Sequence, residues 1–210
     1  MGKKVNFLFV VDVSGSMYGQ KIASVNGVLA ECLSEIRQLA AATNYEILVS
    51  VAIFAEKMRM EVQNEPAVKV STPRLQVVKQ SSGFYPLTSY SCLYQGMEAI
   101  FENNMLNDGN KGNNTFVFLF SDGKPDSEAY ERALRTAKSS ETFRNAIKYV
   151  VLTNMKSKEF RRDILLFADG REERVLEEQE VPAEIGKLQM TFFADTASQG
   201  SRDPYDRIFR

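Results

Sequence analysis

The sequence predicts an α/β fold: a doubly wound, mostly parallel sheet with helices on both faces and one antiparallel edge strand. Segments that are apolar at nearly every position begin near residues 5, 45, 115 and 146, as strands covered on both faces do. Segments with apolar residues at three- and four-residue steps alternate with them, the order expected of βαβ units. One further run, 57–62, is half polar and follows its predecessor after a short break, which suits an antiparallel edge strand.

Residues 5–11 are the first buried strand. KIASVNGVLAECLSEIRQLA follows, with Ile22, Val25, Leu29, Cys32, Leu33, Ile36 and Leu39 on one stripe, an amphipathic helix of about five turns. YEILVSVAIF (45–54) is rich in β-branched and aromatic residues and predicts the second strand, with KMRMEV (57–62) as the edge. Residues 63–90 hold Pro66, Pro73 and Pro86 among mostly polar neighbours and read as a long surface connection, a length that is uncommon unless it carries function. A helix is predicted over about 91–103, a buried strand over 115–120, a helix over about 127–142 and another buried strand over 146–153. KEFRRDILLFA (158–168) predicts a helix, ERVLEE (173–178) a short edge strand, and 182–197 a final helix opened by Pro182 in its first turn.

A chain of 210 residues is long enough for one sizeable core, and 1–197 are expected to form a single domain with 198–210 as a tail or docked end. With 44% hydrophobic and 25% charged residues the composition is that of an ordinary globular protein. Lys and Arg number 26 against 27 Asp and Glu, so no overall field favours nucleic acid or an anionic membrane as partner. No apolar run approaches the roughly 20 residues that span a bilayer. The basic start MGKKVNFLFVV runs straight into DVSG without a small-residue cleavage site, so it reads as a core strand and the expected location is cytoplasmic.

The residue inventory narrows the chemistry. The two cysteines, Cys32 and Cys92, form no Cys-x-x-Cys, and Cys32 belongs to a helix stripe. Histidine is absent, which removes Ser-His-Asp and Cys-His catalysis and His-ligated zinc together. Any metal must then be bound through oxygen, which favours Mg²⁺, with Mn²⁺ or Ca²⁺ as alternatives.

In open α/β sheets ligands gather at the carboxyl ends of the strands. FLFVVDVSGS ends in Asp12, Ser14 and Ser16, and FVFLFSDGKPD ends in Ser121 and Asp122, with Asp126 behind. LTSYSCLY adds a third polar cluster at a helix entrance, and all of these offer oxygen only. Simpler readings exist for each part. A helix N-cap uses one side chain of DVSGSM and leaves the others unexplained. Asp-Gly in SDGKP suits a turn, and Asp108 and Asp126 read as solvated loop acids. A phosphotransferase of the haloacid-dehalogenase kind resembles Asp-x-Asp, but Ser14 stands where the second acid is needed. No P-loop or Gly-x-Gly-x-x-Gly run is present.

VVDVSGSM with the downstream FLFSDGKPD resembles the von Willebrand factor A domain, whose metal-ion-dependent adhesion site reads Asp-x-Ser-x-Ser, then Thr, then Asp. The resemblance spans about residues 5–190 and implies a Rossmann-like fold and a binding module rather than an enzyme. It implies Ser14 and Ser16 as direct metal ligands, Asp12 direct or through water, and Asp122 mostly through water. The family's middle threonine falls on Ser91 if the spacing to Leu93, Gly96 and Met97 is kept; Thr88 is the alternative of matching type. DVSGSMYGQKIASVNGVLAECLSEI and VSVAIF are also similar to the bacterial intracellular branch near the tellurium-resistance TerY proteins. That branch implies a stress-response or signalling assembly, with a partner Asp or Glu completing the metal shell and a kinase or phosphatase among the partners. A metal-dependent phosphohydrolase and a metal-free scaffold are the competing functions.

Overall fold

The computed structural model describes residues 4–80, 82–103, 105–106, 114–123, 130–153 and 165–188. Six strands form one sheet: β1 (Lys4–Asp12), β2 (Glu46–Phe54), β3 (Met58–Pro66), β4 (Thr115–Ser121), β5 (Ile147–Leu152) and β6 (Val175–Glu177). Their spatial order is β3-β2-β1-β4-β5-β6. All neighbours pair parallel except β2 and β3, so the doubly wound, mostly parallel sheet with an antiparallel edge is the observed architecture. The chain first winds outward from β1 through β2 to β3, then crosses back to β4 on the other side. That reversal puts the crevice above the carboxyl ends of β1 and β4.

β4 and β5 are buried throughout, which is why their sequences show no polar alternation. Val5, Phe7, Phe9 and Val11 pack with Phe116, Phe118 and Phe120 under α1 (Gln20–Ala42) and the helical residues 181–188. Leu8, Val10, Val117 and Leu119 point the other way, under α2 (Tyr90–Glu102), α3 (Tyr130–Ser139) and α4 (Glu141–Asn145). Rings stack across the first face, Phe7 on Phe116 at 5.3 Å, Phe9 on Phe118 at 5.6 Å and Phe118 on Tyr149 at 4.8 Å. Lys148 is the charged exception in β5. Its buried ammonium donates to the carbonyls of Phe143 and Ala146 at 2.9 Å and pairs with Asp169 at 3.0 Å, while burial pulls its pKa down.

Several predicted elements change length. β3 runs on to Pro66 through a register irregularity opposite Val49–Ala52, with Asn64 at φ 50°; an edge position tolerates the missing proline N–H. The connection after it is not wholly superficial, because Ala67, Val70, Leu75 and Val77 are buried. Asn26 ties it to α1, donating to Leu75 O at 2.9 Å and accepting from Leu75 N at 2.8 Å, and Arg37 donates to Val70 O at 3.1 Å. The helix predicted over 127–142 breaks at Ser140, whose hydroxyl accepts from Phe143 N and opens α4. Of the segments 158–168 and 182–197, residues 165–167 and 182–188 are helical, the latter helix starting one residue earlier at Val181. Ala168 follows in a turn, and residues 158–164 and 189–197, Asp108, Asp126 and the tail 198–210 lie outside the described residues. Among the described residues no helix is long and apolar enough to cross a membrane.

α2 rests on β3 at Gly96, where an added Cβ would lie 2.8 Å from Met58 Cβ and against its sulfur. Overpacking of about 1–3 kcal/mol then exceeds the ~1 kcal/mol that alanine adds in a helix interior. Gly96→Ala is expected to lower the urea midpoint without changing its slope; a raised midpoint would mean that Met58 yields freely.

Candidate metal centre

Asp12 is the last residue of β1, the strand flanked by β2 and β4, and it is fully buried. Its Oδ1 accepts from Ser14 N at 2.9 Å and its Oδ2 from Ser121 Oγ at 3.0 Å. Ser121 ends β4 alongside it, and accepts in turn from Gly123 N at 3.1 Å. A hydroxyl has one proton. Ser121 gives its proton to Asp12, so Tyr90, whose hydroxyl lies 2.9 Å away, donates to Ser121. A chain of two hydrogen bonds from α2 through β4 to β1 thus fixes the carboxylate.

After Asp12 the backbone turns through Gly15–Met17. This brings the hydroxyls of buried Ser14 and exposed Ser16 to 3.1 Å. The long connection returns over this turn: Gly15 N donates to Pro86 O at 2.8 Å, and a Cβ on Gly15 would lie 2.6 Å from Tyr85 Cβ. Glycine is needed here for close approach. Two residues beyond Pro86, Thr88 Oγ1 donates to Ser14 Oγ at 2.7 Å. Ser89 N then bonds Ala55 O, and the Ser89 side chain caps α2 by accepting from Cys92 N at 3.2 Å.

The hydroxyl that reaches the serine pair is that of Thr88, the alternative to Ser91 for the middle position. Ser91 lies inside the first turn of α2, and among the described residues no hydrogen bond joins it to Ser14 or Ser16. Thr88 precedes the Ser89 cap, whereas Ser91 follows it. Asp122 follows Ser121, and its carboxylate is 8% exposed. Oδ2 accepts from Lys21 Nζ at 2.8 Å, from the start of α1, while Oδ1 is buried without a hydrogen-bond partner.

Burial pushes the Asp12 carboxyl up from 3.8 to about 6; the hydrogen bonds from Ser14 oppose this and the Asp122 charge adds to it. Burial also raises Tyr90, keeping its hydroxyl a donor. Asp12, Ser14, Ser16, Thr88 and Asp122 thus gather at one end of the switch-point crevice. Among the described residues no three His, Cys, Asp or Glu side chains assemble, so the cluster is hydroxyl-rich and has two acids. A buried carboxylate short of counter-charge, an unpartnered Asp122 oxygen and hydroxyls with spare lone pairs all gain from a hard cation. The residues fit Mg²⁺, Mn²⁺ or Ca²⁺.

Lys21 and Tyr90 were not among the sequence-predicted site residues. Tyr90 offered the signal of a phenol on an apolar stripe. Lys21 offered none, since its partner is 101 residues away. Around the cluster stand exposed apolar groups: Tyr18, Phe84 and Leu87 are 61%, 74% and 72% exposed, and Tyr18 tilts on Tyr85 with ring centroids 4.9 Å apart.

The sequence model of the von Willebrand factor type A domain matches residues 6–191. No curated protein matches the sequence. Among solved structures, the pilus adhesin SpaC from Lactobacillus rhamnosus GG in its open conformation superposes with a TM-score of 0.61 at 17% identity, over 90% of this chain and 30% of that one. The manganese-loaded TRAP protein of Plasmodium vivax gives 0.59 at 20% identity, over 87% and 72%. Proximal thread matrix protein 1 from the mussel byssus, with zinc in its MIDAS motif, gives 0.53 at 12% identity, over 91% and 48%. The chain thus spans less than half of the adhesin and of the mussel protein, and at these identities the likeness is one of fold.

Thr88→Ala is expected to weaken divalent-metal binding at least about tenfold in calorimetric titration, and Ser91→Ala to leave it within about twofold; the reverse ranking would restore Ser91. The unfolded chain ionises Asp12 near 3.8, whereas the folded metal-free protein keeps its proton to about 6. Metal-free stability should therefore fall by roughly 3 kcal/mol as pH rises across that window, and Asp12→Asn should abolish the slope in urea titrations. Metal affinity should move oppositely, rising about tenfold per pH unit up to about 6 and levelling beyond it.

Proposed function

The chain belongs to the von Willebrand factor type A domain family, and from that premise we propose that it is a divalent-metal-dependent protein-binding module. Ser14, Ser16 and Thr88 would hold Mg²⁺, with Mn²⁺ or Ca²⁺ as substitutes, and Asp12 and Asp122 would stand behind them. A partner Asp or Glu would complete the shell. The observation that carries this reading is the make-up of the cluster at an accessible rim. Three of its five members are hydroxyls, which supply lone pairs without cancelling charge, so a cation held by them would retain a strong demand for an outside carboxylate. Ser16 opens to solvent, and Tyr18, Phe84 and Leu87 give a partner's flanking residues apolar surface to cover.

Binding is favoured over hydrolysis by the state of the acids. Asp12 is fully buried with each oxygen already accepting a hydrogen bond, and Asp122 is paired with Lys21. Neither is free to move protons at a substrate in the way general acid–base catalysis requires. The similar structures with an adhesion role or a loaded metal, as their names state, are analogies that point the same way. The resemblance of DVSGSMYGQKIASVNGVLAECLSEI to the TerY branch supports a cytoplasmic bacterial stress-response or signalling assembly, with a kinase or phosphatase as the partner.

Asp12→Ala should abolish Mg²⁺ binding in calorimetry, and the immobilised protein should retain its partner in Mg²⁺ and release it in EDTA. Capture that survives EDTA would favour a metal-free scaffold. Metal-dependent turnover of a phosphoester, lost in Asp12→Ala, would favour a hydrolase.

A further inference from the structure

Lys21 is the cation that the site carries in its own chain. It stands in the first turn of α1 with its side chain 26% exposed, and its ammonium meets Asp122 Oδ2 at 2.8 Å, where Asp122 is 8% exposed. An ion pair so placed is much less screened than a surface pair. The other Asp122 oxygen, Oδ1, is buried and unpartnered. One carboxylate is thereby divided: one oxygen belongs to Lys21 and the other is left to the cluster.

The consequence is a matter of charge. Among the described residues the charged side chains hydrogen-bonded within the cluster are Asp12, Asp122 and Lys21; the serines and Thr88 are neutral. Two carboxylates match the two charges of a divalent cation, and a site built from them alone would be electrically complete when loaded. Lys21 leaves the loaded site with one positive charge in excess.

We propose that Lys21 is the specificity-determining residue of the metal centre: it holds metal affinity down and reserves one unit of positive charge for a single partner carboxylate. The proposal rests on the metal-dependent docking reading above. At the effective dielectric of a partly buried site, charges within several ångströms interact by a few kcal/mol, enough for effects of about tenfold or more on each equilibrium. Lys21 opposes the metal and favours the acid, so its removal shifts the two affinities in opposite directions. A lysine that merely shaped the site would shift both the same way.

The test uses the full chain with Mn²⁺ as metal and acetate as acid, comparing Lys21→Met and Lys21→Gln with the unaltered protein. Mn²⁺ affinity is read by electron paramagnetic resonance of the free ion, and acetate binding by the fall in water-proton relaxation of the loaded protein. Thermal unfolding checks that both variants fold; glutamine keeps a hydrogen-bond donor for Asp122 and removes only the charge. In both variants Mn²⁺ should bind about tenfold tighter or more, and acetate should need about tenfold higher concentration for half-effect. Variants that bind Mn²⁺ no tighter, or acetate no more weakly, would overturn the role of Lys21 and leave the metal reading standing. So would glutamine behaving as lysine does while methionine weakens the metal, which would mark Lys21 as an orienting donor only. Failure of the unaltered chain to bind Mn²⁺ would overturn both readings together.

Discussion

A fully buried carboxylate at the end of the strand where the sheet reverses is the constraint from which the rest of the site follows. Asp12 sits there with no exposure. An ionised acid in that place is unfavourable unless it is hydrogen-bonded or paired. The chain supplies a backbone N–H from Ser14 and the hydroxyl of Ser121, itself held by Tyr90, yet the carboxyl remains displaced upward to about 6. Hydrogen bonds from neutral groups have not replaced the missing counter-charge. Among the described residues no cationic side chain is hydrogen-bonded to Asp12, and the proposed divalent cation would supply that charge.

The topology explains why the remaining donors arrive at this carboxylate. β1 and β4 are neighbours, with Val11 opposite Phe120, so Asp12 and Ser121 finish side by side. α1 begins soon after β1 and brings Lys21 over Asp122. The chain between β3 and α2 is anchored on α1 through Asn26 and Arg37, then passes over Gly15 and sets Thr88 on Ser14. It also leaves Phe84 and Leu87 in solvent, Leu87 immediately before Thr88 in the chain. One segment therefore supplies both a donor and part of the rim a partner would meet, which accounts for its length.

The sheet was legible because β4 and β5 are covered on both sides, so their sequences are continuously apolar, and because the α1 stripe is regular. The antiparallel edge was legible from its half-polar run, but its extension to Pro66 was not, since polar Gln63 and Asn64 pass through a register irregularity. The two strand-end clusters were legible because acids and hydroxyls directly after buried strands have few other reasons to be there. The middle hydroxyl is less legible, because the helix spacing of Leu93, Gly96 and Met97 points to Ser91 while the hydrogen bond to Ser14 comes from Thr88. Thr88 precedes the helix, at a position set by where the Ser89 cap falls and by the Gly15–Pro86 hydrogen bond. Lys21 and Tyr90 act through contacts 101 and 31 residues away in sequence, and no local pattern encodes such pairs.

In the proposed function the oxygens of Ser14, Ser16 and Thr88, backed by Asp12 and Asp122, form one site for a hard divalent cation. The most direct measurement is anomalous diffraction at the manganese edge from crystals of the protein grown with Mn²⁺. A single strong peak is expected among those three hydroxyls, on the side of Asp122 Oδ1. A peak bound instead at Ser91, or no peak at the carboxyl ends of β1 and β4 with Mn²⁺ in excess, would contradict it.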